Sequence, residues 1–133
     1  MTTRTIDTNV LVRLLARDDS EQWKRAADLA MRFQLVVLPT VMLETEWVLR
    51  SQFRFDRQRI AELFRMLASS EAFVLIERER VTRALDGFEK GMDFADALHV
   101  FGMSEGETFV TFDRDLVRLA KRHIDTASVE LAY

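Results

Sequence analysis

Two aspartates in this sequence each follow a short run that reads as a β-strand. Asp7 follows Arg4–Ile6, and Asp113 follows Thr108–Phe112. Both precede stretches with helical spacing, so each also suits a helix N-cap, accepting a hydrogen bond from a backbone N–H left unpaired at the helix start. Two further acids lie inside apolar helical stretches. Around a helix each residue advances about 100°, so with Val41 at zero Val48 falls at about 340°, Trp47 at about 240° and Glu44 at about 300°, between them. A carboxylate in an apolar arc is costly without a compensating cation. Glu46 falls at about 140° and can pair with Arg50 four residues on, so it reads as a surface ion pair and Glu44 as the functional acid. Asp96 stands in Asp93-Phe94-Ala95-Asp96-Ala97-Leu98-His99, flanked by Met92, Val100 and Met103. There Asp93 reads as the N-cap, with Asp96 imitating the third position of a capping box.

A converging set of such carboxylates would repel and raise one another's pKa values, which a divalent cation relieves. Oxygen donors with no cysteine and little histidine suit Mg²⁺ or Mn²⁺ rather than Zn²⁺. The expected metal and catalytic set is Asp7, Glu44, Asp96 and Asp113.

Elements that alternate would position these acids. Strands are expected at Arg4–Ile6, Leu35–Leu38, Phe73–Ile76 and Thr108–Phe112, with a last edge strand at Ser128–Leu131. Helices are expected at Asn9–Ala16, Glu21–Phe33, Val41–Gln52, Arg57–Ser69, Arg78–Lys90, Asp93–Met103 and Asp115–Arg122. Pro39 sits where a helix can begin, because its missing N–H is not needed there. Strands separated by helices imply an α/β fold, a short parallel sheet with helices on both faces. In such sheets ligands bind beyond the carboxyl ends of the strands, where Asp7 and Asp113 fall.

The composition sets the remaining bounds. The 133 residues are 48% hydrophobic and 31% charged, with one proline, four glycines and no cysteine, so a single domain over residues 1–133 with a real core is expected. No disulfide framework or thiolate metal site can form. No leader peptide and no apolar run of about 20 residues is visible, so the expected location is the cytoplasm. The net charge of −3 argues against sequence-independent coating of nucleic acid. Of the 19 basic residues 16 are arginine, whose planar fork suits phosphates.

Four blocks resemble the PIN-domain family, and specifically its VapC-like toxins: Ile6-Asp7-Thr8-Asn9-Val10-Leu11-Val12-Arg13; Pro39 to Ser51, containing Glu44; Asp93 to His99; and Thr111-Phe112-Asp113-Arg114-Asp115-Leu116. They occur in the family's order and span residues 5 to about 120. The resemblance implies a PIN fold and endonucleolytic cleavage of RNA with Mg²⁺ or Mn²⁺. It implies Asp7, Glu44, Asp96 and Asp113 as the acidic quartet. Asp93 and Asp115 would assist, and Thr8, Asn9 and Thr111 would steady the site by hydrogen bonds. It also implies a homodimer silenced by a cognate VapB-like antitoxin. Arg13, Arg50, Arg114 and Arg118 are candidate contacts to the RNA backbone. The sequence departs from the family pattern in two places. Glu46 stands where an apolar residue is usual, and Gln52-Phe53-Arg54-Phe55 lacks an expected glycine.

Neither histidine points to a metal-free ribonuclease: His99 reads as a packing residue one turn beyond Asp96, and His123 favours a helix C-terminus. A receiver-type phospho-acceptor domain would need a lysine after a late strand, whereas Lys121 falls inside a helix. A PIN nuclease that is not a toxin, and a non-catalytic scaffold binding RNA or protein, are the alternatives. The scaffold reading sits poorly with a complete acidic quartet.

Overall fold

The computed structural model describes residues 2–17, 20–124 and 127–132. The chain divides into two compact units, Met1–Arg78 and Glu79–Tyr133.

The first unit runs β1 (Thr3–Thr5), α1 (Thr8–Ala16), α2 (Ser20–Arg32), β2 (Gln34–Val37), α3 (Pro39–Ser51), α4 (Arg57–Ser69) and β3 (Phe73–Leu75). Its strands form a parallel sheet in the order β1-β2-β3, with Arg4 opposite Leu35 and Val36 opposite Val74. Leu35 and Val37 are fully buried, while Gln34 and Val36, which alternate with them, are half-buried. Neither face of β2 therefore lies open to water, as expected of a parallel sheet covered by helices. Helix α1 buries Leu11, Val12 and Leu15, each contributing roughly 1.5–3 kcal/mol. Helix α4 buries Ile60, Phe64 and Leu67 on one stripe.

The second unit runs α5 (Arg78–Glu89, entering from the last residue of the first unit), α6 (Phe94–Phe101), β4 (Thr108–Thr111), α7 (Arg114–His123) and β5 (Ser128–Leu131). β4 and β5 pair in parallel, Phe109 opposite Val129. Phe88 of α5 meets Phe94 edge-to-face, with ring centroids 5.7 Å apart. Gly87 lets α5 and α6 approach: a Cβ there would come within 2.9 Å of Met92 Sδ and 3.5 Å of Ala97 Cβ.

Every expected element forms, with ends shifted by one or two residues as termini usually are. The five strands pair as three and two, all in parallel. Where a glycine was missing after α3, Arg54 itself takes the left-handed conformation (φ 58°) that glycine adopts most cheaply.

One expectation about α3 is overturned. Its buried face carries Val41, Met42, Thr45, Glu46 and Leu49, an arc centred near 70° when Val41 is zero. Glu44 lies across the helix from it and is exposed, whereas Glu46 is 2% exposed. The misleading residue was Trp47, taken as part of the apolar face but 53% exposed. Glu46 does pair with Arg50, as expected, but from the interior rather than from the surface.

Candidate active site

In the first unit, Asp7 follows the carboxyl end of β1. Ile6 extends the strand by donating its N–H to the Val36 carbonyl (3.1 Å). The chain then turns into α1, and Asp7 becomes its N-cap, with Oδ1 accepting from the Val10 N–H at 3.0 Å. Leu38 and Pro39 follow the carboxyl end of β2, so α3 starts at the same edge of the sheet. Glu44 lies in its second turn, with the exposed Trp47 one turn further on. Helix α1 packs on α3. Thr8 is half-buried in the first turn of α1, and Asn9 is exposed.

In the second unit, Asp93 caps α6 and accepts from the Asp96 N–H at 3.2 Å. Asp113 follows β4 and caps α7, its Oδ1 accepting from Asp115 N–H (2.9 Å) and Leu116 N–H (3.2 Å). Thr111 steadies this turn: its hydroxyl oxygen accepts from the Asp113 N–H at 3.0 Å. Asp96 is half-buried. Its carboxyl is held above the ordinary aspartate value, first by burial and then by the negative charges of Asp93 and Asp113, with His99 working in the opposite direction. The second unit thus brings Asp93 and Asp113 close enough to Asp96 for their charges to act on it.

His99 corrects its sequence reading. It is exposed and meets Phe109 edge-to-face with centroids 6.3 Å apart, so it is a rim residue and not a packed one. Of the four candidate RNA-binding arginines, Arg50 is held on Glu46 and Arg118 on Asp115 at 3.3 Å. Arg13 is half-buried with its Nε in the interior, and Arg114 is exposed. The buried Glu46 is the acid whose setting sequence reasoning missed. Its signal was the departure from the family pattern, a charge at a position where apolar residues are usual.

The donor chemistry fits a hard divalent cation, because every acid in question offers only carboxylate oxygens. The crowding at Asp96 is the kind of charge repulsion that such an ion relieves. Among the described residues no three acidic or histidine side chains stand close enough to form a ready cage.

A model of the PIN domain matches residues 5–122, and the chain belongs to that family. PIN domains are generally metal-dependent nucleases, which makes a nuclease-type activity the coarse expectation for this chain. No curated protein and no solved structure gives a match.

Proposed function

We propose that the chain is one PIN domain acting as an Mg²⁺- or Mn²⁺-dependent endoribonuclease, the toxin half of a VapBC-type toxin–antitoxin pair. The observation that carries the metal-dependent nuclease is the group around Asp96. A half-buried aspartate whose charge is made costly first by burial and then by Asp93 and Asp113 is a poor choice for stability alone and a good one for holding a cation. The toxin assignment rests on the four sequence blocks quoted above, and on the acids Asp7, Glu44, Asp96 and Asp113 within them.

In this reading Asp7, Glu44, Asp96 and Asp113 hold the ion. Bound there, it supplies Lewis acidity toward a phosphodiester and activates water for attack. Asp7 and Asp113 are fixed by their capping bonds, so their carboxylates keep one orientation. Asp93 and Asp115 shape the helix starts around them, with Thr8, Asn9 and Thr111 in support. The exposed Glu44 either completes the ligand set or takes the proton from the attacking water. Water as nucleophile leaves a 3′-hydroxyl and a 5′-phosphate. Arg114 and Arg118 suit the RNA backbone, with Arg50 held on Glu46 and Arg13 half-buried. A homodimer, a VapB-like antitoxin and a cytoplasmic location complete the proposal. Among the described residues no helix is long and apolar enough to cross a membrane.

The test is cleavage of RNA by the purified chain with Mg²⁺ or Mn²⁺, with EDTA, and with Asp7→Asn and Asp96→Asn in parallel. Metal-dependent cutting abolished by both substitutions supports the assignment. Cutting that survives EDTA or both substitutions removes it.

A further inference from the structure

The second unit carries a cavity of about 200 Å³ whose wall combines Arg83, Lys90 and His123 with the ring of Phe101, Asp86 standing on the same wall. These residues come from three helices and the turn after the first: Arg83 and Asp86 from α5, Lys90 from the turn that follows it, Phe101 from the end of α6, and His123 from the end of α7. Asp96 and Asp113 lie toward the other ends of the last two helices. Phe101 is five residues past Asp96, roughly 7.5 Å along α6 and about 140° around it. His123 is ten residues past Asp113, roughly 15 Å along α7. The cavity is therefore separate from Asp96 and Asp113.

Its chemistry is that of a nucleotide subsite. Proteins that hold single strands combine cations that track the backbone with an aromatic face on which a base stacks. Arg83 and Lys90 are both exposed. Arg83 engages Glu79 at 2.9 Å, but both side chains are mostly in water (51% and 78% exposed), and such a surface pair is worth only about 0.2–1 kcal/mol, so a phosphate can compete for the guanidinium. Lys90 has no ion-pair partner among the described residues. Phe101 is half-buried and lines the cavity. Asp86 opposes a phosphate but can accept from a ribose hydroxyl or a base N–H.

We propose that this cavity binds one nucleotide of a single-stranded RNA away from the cut. The phosphate sits on Arg83 and Lys90, and the base lies against Phe101. The proposal rests on the ribonuclease reading above. A single strand must cross roughly 15 Å along α7 to occupy both places, more than one nucleotide spans. Only strands that long reach both places.

The test measures binding of a fluorescently labelled single-stranded RNA to the full chain by anisotropy in EDTA, where cleavage is suppressed, over a range of salt. Arg83→Ala with Lys90→Ala is compared with Lys24→Ala and Arg32→Ala, which remove the same charge from α2. The pocket pair is expected to weaken binding about ten-fold and to reduce the slope of log K against log salt by about 0.7, the contribution of one single-strand phosphate. Phe101→Leu is expected to weaken binding with the slope unchanged. In cleavage with metal, the pocket pair should raise KM for long strands, leave kcat alone, and leave a dinucleotide unaffected. Equal effects of the pocket and control pairs on a wild type that binds and cuts RNA would overturn the subsite and leave the nuclease standing. A wild type that neither binds nor cuts any RNA would overturn both.

Discussion

Arg50 reaches back one turn of α3 to hold Glu46, its Nε 2.8 Å from a carboxylate that is 2% exposed while half of its own side chain lies in water. Removing one member of such a pair leaves the other charge without compensation. Arg50→Ala is expected to cost about 2 kcal/mol, below the range for fully buried pairs because one end is wet. Combining it with Glu46→Gln should recover part of that loss. Glu44→Gln, on the exposed side of the same helix, should shift stability by less than about 0.5 kcal/mol and yet abolish RNA cleavage. Urea unfolding beside a cleavage assay separates the two glutamates.

Asp7 and Asp113 are both helix caps and proposed ion ligands, and two substitutions divide those roles. Asparagine caps as well as aspartate does, while alanine forfeits about 1 kcal/mol. Asp7→Asn and Asp113→Asn should therefore leave the thermal midpoint nearly unchanged and abolish cleavage. Asp7→Ala and Asp113→Ala should lose both. If the asparagine variants retain activity, these carboxylates are caps alone.

Asp96 gives a pH dependence of definite sign. Its folded pKa lies above the unfolded value, so between the two values the folded chain binds the extra proton and stability falls as pH rises. At neutral pH the charged Asp96 is a net cost. Asp96→Asn should therefore raise Tm at pH 7 in EDTA, and the gain should vanish as the pH falls below the ordinary aspartate range. Thermal melts of both proteins across that range check the sign. A gain that grows toward acid would contradict it.

Thr45, between the two glutamates, is fully buried and its hydroxyl has no hydrogen-bond partner among the described residues. Valine has the same shape without the polar atom, so Thr45→Val should stabilise by roughly 1 kcal/mol, read from the urea midpoint.

Much of this was legible in the residues themselves. β-branched runs bounded by polar residues located all five strands, and aspartates before apolar-periodic stretches located three caps, because both signals are local. The orientation of α3 was not, because the aromatic Trp47 outweighed Thr45 and Glu46 in judging which face is buried, and only tertiary packing reverses that weight. His99 failed in the same way: periodicity placed it on a helix but could not say whether its side of α6 is covered. Pairing of the strands as three and two also lay beyond local pattern, since register depends on partners distant in sequence.

Arg17, Arg54 and Glu77 all turn the chain through left-handed backbone, with φ between 54° and 58°, and all three side chains are exposed. For residues with a Cβ that conformation costs roughly 1–2 kcal/mol each, and none of the three side chains is needed to fill the interior. Natural chains settle above a threshold of stability and not at an optimum. These three corners are accordingly where a more heat-resistant version of the protein is most cheaply sought, by glycine, without touching a residue of the proposed site or of the core.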